Sequence, residues 1–479
     1  MSINSSLRTS RWLTRSVVGN GLSLLVQPRH LLLLASWLYA YSLHFSHIVY
    51  LNPVWDYFGF TLRPFNWLEI VIIFLLITAG AVAMPVRIAR PSFVILLLLY
   101  IVVYIPAVVF SLSLDVNRLE RYGISLMALC FGFVLACMIS RLRPAFSSVQ
   151  SCVPDSRFCR VILQVWVVCC AILIFTYAPI MTFSGLDDIY DQREAGASVS
   201  AGMGYAQTYF GNVISPALIA MGLINLKFRL IFIGTVGCVI MYMINAQRTI
   251  FLMPIAIILF NFLLNRRYFI FRTTAFPLLL LSGVVLVSSS FYEQNAVASF
   301  LSLFIVFRTL SLPGLTFSQY HDLFAADGYT WWSHIKGFDL FVPIPSTFVQ
   351  DPSWPNLGHI IGDRVYSNVE NNVNANLFSG DGLASAGPFG VLVISLVLAA
   401  WLRLFDHSTR GWDRRFSVLI ALPIGLAMTN GHFFTTMLSF GGIFWLLAFH
   451  FYKPHNRAIG KPTKNSRRWF AKAPRAKLT

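Results

Sequence analysis

Residues 92–112 read SFVILLLLYIVVYIPAVVFSL, a run without a single charged side chain. An α-helix needs about 20 apolar residues to cross the roughly 30 Å hydrocarbon core of a bilayer, so this run predicts a transmembrane helix. Similar runs on both sides of it predict an all-α polytopic membrane protein with about 12 transmembrane helices. The predicted spans are 31–51, 67–84, 92–112, 122–140, 161–181, 205–225, 231–246, 250–265, 274–291, 386–402, 416–430 and 435–452.

The composition excludes a soluble or disordered chain, because 57% of the 479 residues are hydrophobic and 11% are charged. A net charge of +17 would suggest nucleic-acid binding on a soluble surface, but here the charges are sorted between alternate loops. One set of loops holds 28 of the 36 basic residues and three of the 19 acidic ones. This set comprises 1–30, 85–91, 141–160, 226–230, 266–273, 403–415 and 453–479.

Cytoplasmic loops carry an excess of lysine and arginine, so we predict that these basic segments and both termini are cytoplasmic. The basic tail is expected to touch anionic membrane lipid, and no nucleic-acid partner is predicted. The predicted regions are a basic cytoplasmic N-terminus at 1–30, helices one to nine at 31–291, a re-entrant or interfacial helix and a large periplasmic loop at 292–385, helices ten to twelve at 386–452, and the basic cytoplasmic tail at 453–479.

One further apolar run, VASFLSLFIVFRTLSLP at 297–313, is expected not to cross the membrane. If it crossed, every later loop would change sides and the basic tail would lie outside, against the charge bias. We therefore predict a re-entrant or interfacial helix that carries Arg308 at its inner or surface end.

The hydrophilic stretch at about 314–385 is far longer than a helix connection requires, so it is the predicted location of function. Trp331 and Trp332 offer aromatic faces, and the amides of Asn374 and Asn376 offer hydrogen bonds. This combination suits a carbohydrate, which has apolar C–H patches and polar rims. Each tryptophan could instead be an anchor at the membrane interface.

Eight basic residues lie on the side that the charge bias disfavours, and four of them stand out as candidates: Arg193, Arg248, Arg308 and Arg364. Arg248 and Arg308 are embedded in apolar runs, where an uncompensated charge costs about 2.5 to 3.5 kcal/mol on insertion scales. A guanidinium binds phosphate oxygens through paired hydrogen bonds, so converging arginines would form a diphosphate site without a metal. The alternatives are ion pairs, or side chains that extend to the interface.

The motif DDIYD, with Asp187, Asp188 and Asp191, matches the aspartate spacing by which prenyl-diphosphate enzymes bind magnesium. The chain has no second acidic motif of this kind, so a solvated loop or a pair with Arg193 is the preferred interpretation. We therefore predict no metal site and no cofactor.

Five short motifs follow one another in a set order: YDQRE at 190–194, QRTIF at 247–251, FRTLSLPG at 307–314, QYHDLF at 319–324 and NANLFSGDGLASAGPFG at 374–390. In this order they resemble the Wzy-type O-antigen and capsular repeat-unit polymerases, over about residues 185–400. The resemblance implies a multi-helix architecture similar to the O-antigen ligases and GT-C-like transferases, in the bacterial inner membrane.

The resemblance also implies an activity, the polymerisation of undecaprenyl-diphosphate-linked oligosaccharide repeat units at the periplasmic face. Donor and acceptor are both lipid-linked, and a chain-length regulator is an expected protein partner. Arg248 and Arg308 would hold the diphosphate, with Arg193 and Arg364 in support. The candidate base is His334 or Asp381, and the candidate glycan contacts are Trp331, Trp332, Asn374 and Asn376.

Three other interpretations stay open at this point. A flippase or transporter of lipid-linked glycan would place its charges or broken helices near the midplane, often in two related halves, and no convincing repeat is visible. An O-antigen ligase would use the same donor with a different acceptor. An interaction scaffold would not explain arginines within apolar segments. His334 could equally make a structural hydrogen bond in the loop.

Overall fold

The structure is a computed structural model, and it describes residues 27–114, 118–142, 152–183, 192, 196, 200–265 and 273–452. These residues form helices joined by turns and irregular loops, with two isolated β-bridges and no strand among them. The prediction of an all-α chain is therefore confirmed for the part of the chain that the structure describes.

The described residues contain fifteen helices, some with π-helical or 3₁₀ turns. They are α1 (Pro28–Phe58), α2 (Trp67–Ala83), α3 (Pro91–Ser111), α4 (Arg118–Arg141), α5 (Ser156–Ile180), α6 (201–225), α7 (Phe228–Asn245), α8 (Arg248–Asn265), α9 (Ala275–Phe291), α10 (Ala296–Asp327), α11 (Leu357–Tyr366), α12 (Phe378–Ser408), α13 (Arg414–Thr429), α14 (Phe433–Ser439) and α15 (Gly442–Phe451).

Eight of these helices are long and apolar enough to cross a membrane, and the bent pair α14 and α15 would make nine if it is one span. Two further helices, α2 and α9, are apolar but shorter. Each of the 12 predicted spans coincides with a helix, and α10 is long and apolar in addition. The helices therefore indicate a multi-pass membrane protein, while the number of 12 crossings stays a prediction.

The helix connections meet at two opposite ends of the bundle. We call one of them the basic end, because described residues in or directly beside the first six of the segments with excess positive charge reach it, while 453–479 lies outside the described residues. Hydrogen bonds and an isolated bridge join these segments into one network. The pairs are Arg29 with Met84, Arg90 with Ser140, Ser92 with Asp406, Arg87 with Thr273, Cys152 with Gly411, Asn225 with Pro154, Tyr452 with Asp155 and Arg415 with Asn265.

The opposite end, which we call the loop end, is organised around a buried arginine. Arg118 Nε lies 3.1 Å from Glu69 Oε1, and both side chains are almost completely buried. Glu69 also completes a capping box at the start of α2, where its carboxylate accepts from the Asn66 N–H at 2.8 Å. The Arg118 guanidinium donates to the carbonyls of Arg63, Pro64 and Leu112. One ion pair thus fixes two loops and two helix starts.

Helix α10 differs from the sequence prediction in its length. It continues through Pro313 to Asp327, so residues up to 327 are helical where we predicted a loop from 314. Gly314 permits this because a Cβ there would lie 2.7 Å from the carbonyl oxygen of Pro106 in α3. The predicted loop therefore shortens to 328–377, and it contains α11.

Contacts near both ends of α10 lie at the loop end. Phe307 stacks on Trp55 with ring centroids 3.9 Å apart, and Asp322 pairs with Arg121 at 2.6 Å. Asn295, which caps the start of α10, bonds back to Phe291 at the end of α9. Both ends of α10 are therefore tied to the loop end, and a re-entrant or interfacial position of this helix stays a prediction.

Helix α12 is broken close to its start. Ala386 and Gly387 have non-helical backbone angles, and Gly387 has φ +59°, which glycine adopts without strain. The π-helical turn Phe378–Leu383 then folds against the remainder of α12. A Cβ on Gly390 would lie 2.1 Å from the Gly382 carbonyl oxygen, so this close approach requires glycine. The glycines of the 374–390 motif therefore shape one compact bend.

Candidate functional site

Three side chains from distant parts of the sequence meet at the loop end. They are His334 in the turn after α10, Asp381 in the first turn of α12, and His432 between α13 and α14. One ligand atom from each lies within 4.8 Å of the other two. The two imidazole rings meet edge to face, with centroids 5.6 Å apart. We call these three residues the His–Asp–His cluster.

A hydroxyl group orients His334. Its Nδ1 lies 2.9 Å from Thr330 Oγ1, and the Thr330 N–H donates to the Ala384 carbonyl at 2.8 Å, next to the break in α12. The other ring nitrogen, Nε2, is buried and has no hydrogen-bond partner. If Nδ1 carries the hydrogen and donates to Thr330, the lone pair of Nε2 is free and directed into the cluster.

Asp381 is fully buried, and only half of its carboxylate is satisfied. Oδ2 accepts from the Phe433 N–H, whereas Oδ1 is buried without a partner. Among the described residues Asp381 forms no ion pair. Its backbone carbonyl accepts from Trp332 Nε1 at 3.0 Å, which ties the loop to α12. A buried carboxylate without a cation is unfavourable, so this arrangement calls for an explanation.

A glycine positions His432. A Cβ on Gly380 would lie 2.6 Å from His432 Nε2 and 2.8 Å from Cδ2, so the ring packs directly on the glycine backbone. Taken as a whole residue, His432 is intermediate in exposure, whereas His334 and Asp381 are buried. Asp381 is therefore one residue of the cluster, and the adjacent Gly380 supports the ring of another, His432.

The burial of the two histidines keeps both rings neutral. Burial lowers the pKa of His432 to about 4. Burial, and then the neighbouring His432, lowers the pKa of His334 well below its usual value near 6.5. At neutral pH both rings are therefore neutral, and each has a nitrogen lone pair that can accept a proton or bind a cation.

Arg248, one arginine of the predicted diphosphate site, lies against an aromatic ring of the helix that carries the other, Arg308. The Arg248 guanidinium, at the start of α8, lies over Phe304 with its carbon 4.5 Å from the ring centroid. Phe304 lies about one turn before Arg308 within the π-helical stretch Ser302–Ser311 of α10. Arg308 is exposed and has neither an ion pair nor a hydrogen bond among the described residues. The structure thus brings Arg248 and Arg308 to one part of the loop end.

One hydrogen bond joins this arginine pair to the His–Asp–His cluster. Asn376 Nδ2 donates to the Pro313 carbonyl at 3.3 Å, and Asn376 is buried. Pro313 lies five residues after Arg308, about 8 Å along the helix axis, and Asn376 lies five residues before Asp381. The Asn376 Oδ1 accepts from the N–H groups of Phe378 and Ser379, so this side chain is committed within the protein.

The other predicted site residues are placed as follows. Arg364 pairs with Asp327 and with Asp351, and despite burial these acids raise its pKa, so its charge is already neutralised within the loop. Trp331 is exposed, Trp332 is partly buried and Asn374 is exposed. Arg193, and the DDIYD motif with it, lie outside the described residues.

The sequence analysis missed His432. It follows α13 in the short connection GHFF, where no local pattern distinguishes it from other loop histidines. It lies 51 residues after Asp381 and 98 after His334, and only the packing of α12 against its neighbours joins the three. The one available signal is Gly380, since a glycine beside a candidate acid can indicate a close approach.

The chain was also compared with known proteins, and nothing matches: no protein-family model, no curated protein sequence and no solved structure is significantly similar to it.

Proposed function

We propose that this protein is a membrane glycosyltransferase that polymerises repeat units carried on a lipid diphosphate, as the resemblance to Wzy-type polymerases implies. The loop end faces the periplasm in this proposal, and the basic end faces the cytoplasm of a bacterial inner membrane. The opposite charges of the two sets of loops support this orientation.

The arginine pair supports a diphosphate-linked donor. When the bond between the anomeric carbon and the diphosphate oxygen breaks, the electron pair stays on the diphosphate, and two prepositioned guanidiniums would stabilise that charge. Arg308 suits this role because no described acid neutralises it. Arg248 is held against Phe304 one turn away.

The His–Asp–His cluster supports the second half of the reaction. An acceptor hydroxyl attacks the anomeric carbon and forms the new glycosidic bond, and its proton passes to a base. Asp381 and His334 are the candidate bases, since each has an unpartnered buried atom in the cluster. The exposed ring of Trp331 lies three residues before His334, where it would stack on a sugar.

The proposal rests on the contact between the segment that carries the arginine pair and the segment that leads to the His–Asp–His cluster. The Asn376–Pro313 hydrogen bond connects the segment of Asp381 to the helix of Arg308. The proposed diphosphate site and the proposed base therefore belong to two segments that are in direct contact at the loop end.

The test is the polysaccharide ladder of a deletion strain complemented with wild type, Arg308→Ala, Arg248→Ala or Arg121→Ala. Arg121 is the matched control, because it lies at the same end but is paired with Asp322. We expect a single repeat unit on the acceptor in the deletion strain and in the first two variants. Wild type and the control should restore the ladder.

Persistence of the polymer in both Arg308→Ala and Arg248→Ala would overturn the diphosphate role. The abundance of each variant in the membrane fraction, measured on an immunoblot, separates a loss of activity from a loss of protein.

A second candidate, a transporter of lipid-linked glycan, is favoured by the broken backbone of α12 and by the 53° bend between α14 and α15. Discontinuous helices are typical of transporter binding sites. In that case deletion would remove even the single repeat unit. A ligase would give the same loss while polymer accumulates on the lipid carrier, so the carrier-linked fraction distinguishes these two.

A further inference from the structure

We propose that His334, Asp381 and His432 bind one divalent transition-metal cation. The proposal does not depend on the reaction proposed above, because it concerns the protein without any glycan. No metal site was predicted from the sequence, because His432 lies far along the chain from His334 and Asp381 and no local motif joins the three.

The donor set fits this class of ion. Two imidazole nitrogens and one carboxylate oxygen suit Zn²⁺, Fe²⁺ or Mn²⁺, whereas Mg²⁺ and Ca²⁺ prefer oxygen ligands alone. With Zn²⁺, three protein ligands leave the fourth tetrahedral position open. Of the three ligands, His432 is the least buried residue.

Two buried atoms without partners point to the ligand. His334 is 8% exposed and its Nε2 is unpartnered, and the fully buried Asp381 has an unpartnered Oδ1. Both atoms belong to residues of the cluster. A cation would satisfy both atoms and would also neutralise the buried carboxylate, which has no ion pair among the described residues.

Each of the three ligands is oriented by a second contact. Thr330 Oγ1 holds His334 Nδ1, the Phe433 N–H holds Asp381 Oδ2, and the backbone of Gly380 supports the His432 ring. Metal ligands in proteins commonly have such supporting contacts, which fix the tautomer and the direction of the lone pair.

The three side chains need to move only slightly closer together to bind one ion. Metal–nitrogen bonds of about 2.0–2.1 Å place tetrahedral ligand atoms about 3.3 Å apart. The ligand atoms of the cluster lie within 4.8 Å of one another. Closure by roughly one ångström or less per side chain would therefore complete the geometry, and the partly exposed His432 has the most room to move.

The experiment is a metal analysis of the full-length protein, purified in detergent through a tag without histidines. The protein is stripped with a chelator, incubated with Zn²⁺, separated from free ion and measured by mass spectrometry. We expect about one Zn²⁺ per chain in wild type and in the control His321→Gln. His321 is at the same end but pairs with Asp322, outside the cluster. Asp381→Asn, His334→Gln and His432→Gln should each lower the content at least tenfold.

Three further measurements distinguish the loss of a metal ligand from a folding defect. His432→Cys retains a zinc ligand, so it should recover zinc binding that His432→Gln lacks. Wild type loaded with Co²⁺ should show the visible absorption of a tetrahedral cobalt site, and a chelator should remove it. Zn²⁺ should raise the melting temperature of stripped wild type but not of Asp381→Asn.

A stripped wild type that takes up no more Zn²⁺ or Co²⁺ than Asp381→Asn would overturn the proposal. The cluster would then be a hydrogen-bonded group of a neutral acid and two imidazoles. Because metal content is measured without substrate, this failure is distinct from failure of the polymerase proposal, which only the ladder tests.

Discussion

Glu69 and Asp381 are both carboxylates buried at the loop end, but their surroundings are opposite. Both oxygens of Glu69 have partners, one in the Arg118 guanidinium and one in the backbone of Asn66. Asp381 accepts from one backbone N–H, and among the described residues it has no cation and its second oxygen has no partner. A satisfied buried charge is part of the framework, whereas an unsatisfied one is available to a ligand or a proton. The two carboxylates therefore differ in role, with Glu69 part of the framework and Asp381 available for function.

The largest expected effect on stability comes from breaking the Arg118–Glu69 ion pair. Arg118→Met leaves Glu69 buried without its cation and frees three loop carbonyls, so we expect a loss of about 3–5 kcal/mol in the free energy of unfolding. Equilibrium unfolding in mixed micelles measures it. Arg121→Met is the control, because its more exposed pair with Asp322 should contribute at most about 1 kcal/mol. An equal effect of both variants would contradict the contrast.

A smaller effect is expected from overpacking the cluster. Gly380→Ala places a Cβ 2.6 Å from His432 Nε2, so the ring must move, at a cost of about 1–3 kcal/mol. Gly283→Ala in α9 is the control, since a Cβ there meets nothing within 4 Å and alanine favours the helix. The melting temperature should fall for Gly380→Ala and stay equal or rise for Gly283→Ala. A stable Gly380→Ala would show that Gly380 does not seat His432.

A carboxylate at the basic end extends the comparison. Asp155 caps α5 and accepts from the Phe158 N–H and the Tyr452 hydroxyl, both at 2.7 Å. Burial acts to raise its pKa, but these hydrogen bonds outweigh it and the pKa is lowered. Asp155→Ala should cost about 1 kcal/mol at neutral pH.

The pH dependence of Asp155 has a definite sign. Because the folded pKa is below the unfolded value of about 3.9, its stabilisation is present above that value and is lost as pH falls through the folded pKa. The difference between wild type and Asp155→Ala should therefore shrink in acid. A difference that stays constant from pH 6 to pH 3 would contradict the role of the carboxylate charge.

The smallest effect on stability is expected for Asp381→Asn in metal-free protein. Asparagine keeps an oxygen for the Phe433 N–H and removes the unpaired charge, so the free energy of unfolding should stay within about 1 kcal/mol of wild type. Polymer formation should nevertheless be lost. A loss of stability as large as that of Arg118→Met would mean that Asp381 is structural.

Much of the fold was predictable because each long apolar helix corresponds to one continuous apolar stretch of the sequence. The run at 92–112 corresponds to α3, and the basic segments meet at one end as the charge bias suggested. The extent of α10 was not predictable, because it depends on Gly314 packing on the Pro106 carbonyl of a distant helix.

The candidate site was predictable only in part. The charge bias favoured Arg308, which has no described partner, and gave Arg364, which the structure pairs with Asp327 and Asp351, a supporting role. Sequence position does not reveal whether an acid from another segment reaches a given arginine. His334 and Asp381 were both named, but as alternatives rather than as neighbours.

The sequence by itself determined that the chain forms apolar helices and that its basic loops alternate with its acidic ones, because both properties are sums over neighbouring residues. Only the tertiary structure decided which polar groups are satisfied. The Arg118–Glu69 pair and the His–Asp–His cluster each join distant segments, and whether a buried charge finds a partner depends on contacts that close only when the helices pack.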